Sequence, residues 1–304
     1  MSSELFSGQA ILFTVACGKP RYAKQAMALA MSARLHGARV PFVLLSDCAD
    51  ASVSKWFDAV VQPVPGIEPY MQKVVALQTT GASSALFLDS DSLAIKNLDD
   101  LLAKLKGNSF AAMGDWITDG YYWGETQANM RKLGVDRIAR LNGGLIYYER
   151  TPDGEKLIEE SLRVSKDFDN LGLDRLAGKI HDEGCVSPAL STTGLGTLIP
   201  DTEGYSITPW TGVAIDLDVL QGRFEMVNGY RGDVRAVKPF VYHSAMAGWD
   251  RRYWKEVRRL ISTVRQAEKL RLESGMPMEL SQRLSRKSGE LLTTIYKKLF
   301  LSDF

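Results

Sequence analysis

Two aspartates one residue apart, in Asp89-Ser90-Asp91, close the apolar run Ala85 to Leu88. Such a run reads as a buried strand, so both carboxylates emerge where a strand ends and the chain turns, not from an exposed helix face. Two hard oxygen ligands that can swing to one side of a turn suit Mg²⁺ or Mn²⁺, and such an ion takes further oxygens from a diphosphate. It would neutralise charge on a departing nucleotide. The same triplet can instead cap the next helix, since Asp is a common turn and N-cap residue, so the ion reading needs support from the rest of the chain.

The surrounding elements supply that context. Ala10 to Ala16 (AILFTVA) reads as a buried strand ended by Gly18 and Pro20, and Tyr22 to His36 as a helix that stops at Gly37. Val40 to Leu45 is a second strand, Ser52 to Phe57 a short helix, Ala59 to Val64 a third strand, and Tyr70 to Thr80 a helix broken by Gly81. Repeated βα units predict an α/β fold with a mixed, mostly parallel sheet flanked by helices, in which ligands collect at the carboxyl ends of the strands.

Further along, Asp115 to Arg140 reads as an irregular, aromatic loop with Trp116, Tyr121, Tyr122 and Trp123. Asn142-Gly143-Gly144 reads as a turn into a strand over Leu145 to Tyr148, with a helix over Gly154 to Lys166 and a late strand over Val237 to His243. From Arg251 two amphipathic helices are expected, split near Gly275-Met276-Pro277, with apolar positions at Trp254, Val257, Ile261 and Val264 and then at Leu284, Leu291, Ile295 and Leu299.

A chain of 304 residues with 45% hydrophobic and 24% charged residues has the make-up of an ordinary globular protein. Residues 251–304 carry 13 Lys or Arg against 6 Asp or Glu, net +7, which leaves 24 against 30, net −6, in the first 250. The overall charge of +1 gives no reason to expect a nucleic-acid partner. Cys17, Cys48 and Cys185 lie far apart with no CxxC spacing, which suggests neither a disulfide framework nor a zinc site and fits a reducing cytoplasm. The N-terminal stretch lacks a basic start and an apolar core of signal-peptide length, and no segment approaches the roughly 20 apolar residues of a bilayer span.

Five segments in order carry a resemblance: FTVACGKPRYAKQAMALAMSA, Tyr70 to Lys73, LFLDSDSLAIKNLDDLL, LNGGLIYYER, and HDEG followed by VYHSAMAGW. Together they resemble the GT-A nucleotide-sugar glycosyltransferases, most closely the retaining group of glycosyltransferase family 8 with its lipopolysaccharide and glycogenin-like members. The specific part is LFLDSD followed by the run ending in Asn97-Leu98-Asp99-Asp100-Leu101. The resemblance implies a catalytic domain over 1–250, with a nucleotide-binding part to about 115 and an acceptor and donor-sugar part from about 116, followed by the basic helical extension 251–304.

It also implies roles residue by residue. Thr14, Ala16 and Tyr22 look like the segment holding base and ribose, with plain strand packing as the alternative for the first two. Lys73 looks like a cation on nucleotide or phosphate, or is a solvated helix lysine. Asp89 and Asp91 correspond to the metal-binding pair, Asp89 also reaching the ribose, with Ser90 between them on the nucleotide side, and His243, which closes the strand KPFVYH, looks like the third metal ligand; a lone histidine is otherwise structural. Asn142, Gly143 and Gly144 resemble the segment lining the donor sugar, where glycine permits close approach and Asn offers both a donor and an acceptor.

Two departures stand out. Asp182 and Glu183 sit where the family has Asp-Gln, so a carboxylate replaces an amide; Glu183 is either a nucleophile or an electrostatic partner of an oxocarbenium-like transition state. After His243 the family's His-x-x-Gly-x-x-Lys is absent: Gly248 comes late and the cations are Arg251, Arg252 and Lys255, of which one arginine, with Arg251 the candidate, takes the phosphate, or all three simply begin a solvated helix.

The expected activity is metal-dependent transfer of a hexose from a UDP-sugar, with Mn²⁺ or Mg²⁺, to a hydroxyl of a glycan, glycolipid or protein. A sugar nucleotidyltransferase is the competing enzyme class, for which Ala16-Cys17-Gly18-Lys19-Pro20 is a poor phosphate loop, and an inactive nucleotide-sugar binding protein is the third reading. The basic extension either lies on the inner face of an anionic membrane or packs on the body as a helical hairpin.

Overall fold

The structure, a computed structural model, describes residues 6–200, 203–208, 215–226, 238–245 and 249–274, with side chains as far as 267. Its elements in chain order are β1 (Ala10–Val15), α1 (Pro20–Leu35), β2 (Phe42–Leu45), α2 (Ala51–Ser54), β3 (Ala59–Val61), α3 (Gln72–Thr79), β4 (Ser84–Leu88), β5 (Ser92–Ala94), α4 (Leu98–Leu105) and β6 (Phe110–Ile117). There follow α5 (Thr126–Leu133), β7 (Ile138–Glu149), α6 (Pro152–Lys166), α7 (Phe168–Leu171), α8 (Asp182–Thr193), β8 (Thr197–Ile199), β9 (Ser206–Ile207), β10 (Ile215–Asp218), β11 (Arg223–Met226), β12 (Val241–His243) and α9 (Arg251–Ser274).

Seven strands form the central sheet in the order β3-β2-β1-β4-β7-β6-β8, and β7 alone runs against the rest. The near-continuous apolar runs of β1, β2 and β4 follow from burial on both faces. Leu12, Leu44 and Leu86 pack on one side with α1 and α4, while Ile11, Phe13, Val43 and Phe87 pack on the other with α3, α6 and α8. Local chemistry sets the helix ends. Pro20 opens α1, the Asn97 side chain accepts from Asp99 N at the start of α4, and Thr151 does the same for Gly154 in α6.

The stretch 115–140 is irregular over 118–125, which holds Tyr121, Tyr122 and Trp123, but otherwise holds regular elements: β6 continues to Ile117, Glu125 caps α5, and β7 begins at Ile138. Asn142-Gly143-Gly144 is likewise not a turn. It lies inside β7, where the partner of Ala112 is Ile146 but that of Met113 is Asn142, so Gly143 to Leu145 bulge away from β6. Leu145 still pairs with Leu88 on the other side, which seats the bulge directly beside the end of β4.

A small sheet, β5-β12-β9, completes this edge, with His243 opposite Ser92. In the tail, α9 buries Tyr253, Val257, Leu260 and Val264 in the same cluster as α1, so its apolar face is occupied by the body. The second predicted helix lies outside the described residues. Among the described residues, no helix is long and apolar enough to cross a membrane.

Candidate active site

β4 delivers Asp89 and Asp91 on the turn to β5, and β12 brings His243 back beside them. One ligand atom from each of the three lies within 4.8 Å of the others. His243 Nε2 is 3.5 Å from Asp89 Oδ2 and 3.4 Å from Asp91 Oδ1. The other ring nitrogen, Nδ1, lies 3.0 Å from Thr208 Oγ1, which orients the ring so that Nε2 faces the carboxylates. Two carboxylates and an imidazole converging on one point make a donor set suited to a divalent first-row cation. Burial opposes charge on His243, but its hydrogen bonds to Asp89 and Asp91 hold a proton there and lift its pKa to about 10. A metal ion would take that proton's place.

Lys73 is buried behind this cluster, not solvated. Its ammonium donates to Asp89 Oδ1 at 3.1 Å and to Gly143 O at 2.9 Å, and pairs as an ion with Asp182 Oδ2 at 2.9 Å. Burial works against this charge, yet Asp182 and Asp89 outweigh it and hold Lys73 above the ordinary lysine range. For Asp89, burial pushes up while Lys73 and His243 pull harder, leaving its pKa at about 2.

Asp182 and Glu183 form the first turn of α8, capped by His181. Glu183 Oε1 accepts from Gly143 N at 2.9 Å, and Oε2 accepts from Trp123 Nε1 at 3.0 Å. Burial, followed by the neighbouring Asp182 charge, pushes Glu183 to about 7. Asp182 is also raised, chiefly by burial. Both glycines of the bulge are sterically required. A Cβ on Gly143 would lie 2.0 Å from Asp182 Oδ2, and one on Gly144 would lie 2.3 Å from the His243 ring. Asn142 turns inward, its Oδ1 accepting from Gly144 N at 2.8 Å and its Nδ2 lying 3.4 Å from Thr208 Oγ1.

The structure therefore gathers Lys73, Asp89, Asp91, Asn142, Gly143, Gly144, Asp182, Glu183 and His243 into one connected group, with Ser90 on the same turn. At the neighbouring strand, Thr14 on β1 and Ala16 just past its end are fully buried. Ala16 N donates to Leu45 O at 2.9 Å and its carbonyl accepts from Ser46 Oγ at 2.6 Å, so its backbone is already paired within the protein. Tyr22 is half-buried, with the Arg21 guanidinium 4.8 Å from its ring centroid. Arg251 is exposed at the start of α9, and Gly248 lies outside the described residues.

Thr208, which bridges Asn142 and His243, and Trp123, which grips Glu183, were not singled out from the sequence. No local pattern marks a lone threonine, and Trp123 stood out only as part of an aromatic stretch.

No protein-family model matches the sequence, and no curated protein matches it. Solved structures do. The galactosyltransferase LgtC in complex with donor and acceptor sugar analogues superposes with a TM-score of 0.52 at 14% identity, over 90% of this chain and 100% of that one. An active-site mutant of LgtC, with glutamate in place of a glutamine, gives 0.52 at 13% identity over 82% and 95% of the two chains. The bifunctional glycosyltransferase WbbM gives 0.49 at 15% identity over 79% of this chain, which spans only 46% of WbbM. The fold is that of the GT-A glycosyltransferases.

Proposed function

We propose that this chain is a metal-dependent glycosyltransferase that moves a hexose from a UDP-sugar to an acceptor hydroxyl with retention at the anomeric carbon. The observation that carries the reading is the convergence of Asp89, Asp91 and His243 at the carboxyl end of β4, where a GT-A sheet takes its ligand. Mn²⁺ or Mg²⁺ held there would offset charge on the departing diphosphate. In the step, the bond from the anomeric carbon to the diphosphate oxygen breaks, the acceptor oxygen bonds that carbon from the same face, and the acceptor proton passes to the leaving oxygen. The bulge brings backbone within reach of the sugar, and Asn142 and Asp182 line that end.

Both oxygens of Glu183 already accept N–H donors, which favours an electrostatic role over attack as a nucleophile. A donor panel of UDP-glucose, UDP-galactose and their N-acetyl forms, assayed with Mn²⁺, tests the reading. Transfer releases UDP, a nucleotidyltransferase releases pyrophosphate, and a binding protein releases neither.

We further propose that any membrane contact of this part of the chain is electrostatic. The apolar side of α9 is spent on the body, while Arg251, Lys255, Arg258 and Arg265 remain exposed along one face. Reversal of Arg251 and Lys255 to Glu should weaken pelleting of the full chain with vesicles containing phosphatidylglycerol; equal pelleting would remove the proposal.

A further inference from the structure

Trp123 has a left-handed backbone, φ 50°, a conformation that bulky side chains rarely hold unless their surroundings enforce it. Here they do. The carbonyl of Trp123 accepts from Asp174 N at 3.2 Å, and the Asp174 carbonyl lies 3.1 Å from His181 Nε2. His181 Nδ1 accepts from Gly184 N at 3.2 Å, so the ring is neutral with its proton on Nε2, and it caps α8 while lying 4.0 Å from the Trp123 ring. Tyr121 adds a hydroxyl contact to the Asp174 carboxylate. The 118–125 and 173–181 segments are thus laced together across the start of α8.

What this lacing holds is the indole N–H, 3.0 Å from Glu183 Oε2. Tyr122 has a single hydroxyl proton and lies closer to Leu141 O, at 2.7 Å, than to Glu183, at 3.4 Å, so Trp123 is the side-chain donor to this carboxylate. We propose that Trp123 is a positioning residue, whose enforced turn aims its indole N–H at Glu183 and so fixes the direction of that carboxylate across the sugar end of the site. The catalytic consequence rests on the glycosyltransferase reading; the contact itself does not.

The groups facing Glu183 are the Gly143 N–H from β7, Lys73 from α3, Asp182 on its own helix, and Tyr122 and Trp123. Burial and Asp182 raise the Glu183 carboxyl to about 7, whereas Gly143, Lys73 and the indole N–H favour the ionised form. Removing the indole N–H while keeping an aromatic ring therefore moves ionisation to higher pH.

The test uses the ¹⁵N-labelled full chain, whose six tryptophans give six indole signals, with Trp123 assigned by its loss in Trp123→Phe. The Trp123 indole signal is expected to titrate with a midpoint near 7 and to stop titrating in Glu183→Gln. With a UDP-sugar, Trp123→Phe should move the ascending limb of kcat/KM to higher pH, costing about threefold at neutral pH and little at about pH 8.5. An indole signal that is flat between about pH 5 and 9, or that titrates unchanged in Glu183→Gln, overturns the proposal. So does a uniform loss of activity with an unshifted limb, the mark of a structural role. Failure of every UDP-sugar would sink the glycosyltransferase reading and leave the spectroscopic arm to decide the contact.

Discussion

Two acidic pairs flank a single lysine in this molecule, and their surroundings drive them apart. On the β4–β5 turn, Asp89 meets both Lys73 and His243 and is held at about 2; on the first turn of α8, Glu183 has Asp182 beside it and is lifted to about 7. Burial pushes Asp89, Asp182 and Glu183 in the same upward direction. What differs is the company: opposite charge at 3.1 and 3.5 Å around Asp89, against a like charge one residue away for Glu183. Asp89 is kept ionised, as a cation site requires, and Glu183 sits near its midpoint at neutral pH.

Lys73 links the pairs, so replacing it by Met should break the comparison most severely. Asp89 and Asp182 would lose their shared counter-charge in a buried setting, with an expected loss of about 3–5 kcal/mol in urea unfolding. A loss below about 1 kcal/mol would mean that water reaches and screens the cluster. Next in size is Asp91→Ala. It should abolish the Mn²⁺-dependent part of the thermal shift with UDP and lower transfer at least ~100-fold, while an unchanged metal response would place the ion elsewhere.

Gly143→Ala separates steric from electrostatic effects. Its Cβ would lie 2.0 Å from Asp182 Oδ2, which is pinned by Lys73, so a stability loss of about 1–3 kcal/mol is expected, measurable by denaturant titration. The mildest test is pH. The folded-state midpoint of Glu183, about 7, lies above the ordinary 4.5, so folding favours the neutral acid. Its contribution to stability is complete below the unfolded midpoint and is lost as pH rises through about 7. Between about pH 5 and 8 the native chain should therefore lose more unfolding free energy than Glu183→Gln, and parallel curves would show that this carboxyl titrates as if exposed.

Much of the frame was legible in the sequence. Apolar runs ending in glycine, proline or aspartate marked β1, β2 and β4 because strands buried on both faces need little more than apolar residues and a stop. Asp89 and Asp91 stood out because a strand end aims adjacent side chains outward. Within 115–140 the end of β6 and α5 were missed for the opposite reason: both are partly exposed, and their mixed polarity hides the period that burial imposes. Gly143-Gly144 suggested a turn, since nothing local shows that β4 and β6 both pair with the strand containing it.

By itself, then, the sequence determined the alternating elements, the acidic turn at the end of β4 and the glycines that let chain segments meet closely. All of these are local matters of side-chain size, polarity and backbone freedom. Only the tertiary structure decided that Lys73 is buried between two carboxylates, that Thr208 orients His243, and that a tryptophan 60 residues from Glu183 donates to it. Charge state and direction depend on which distant groups share a low-dielectric space, and chain order does not encode that distance.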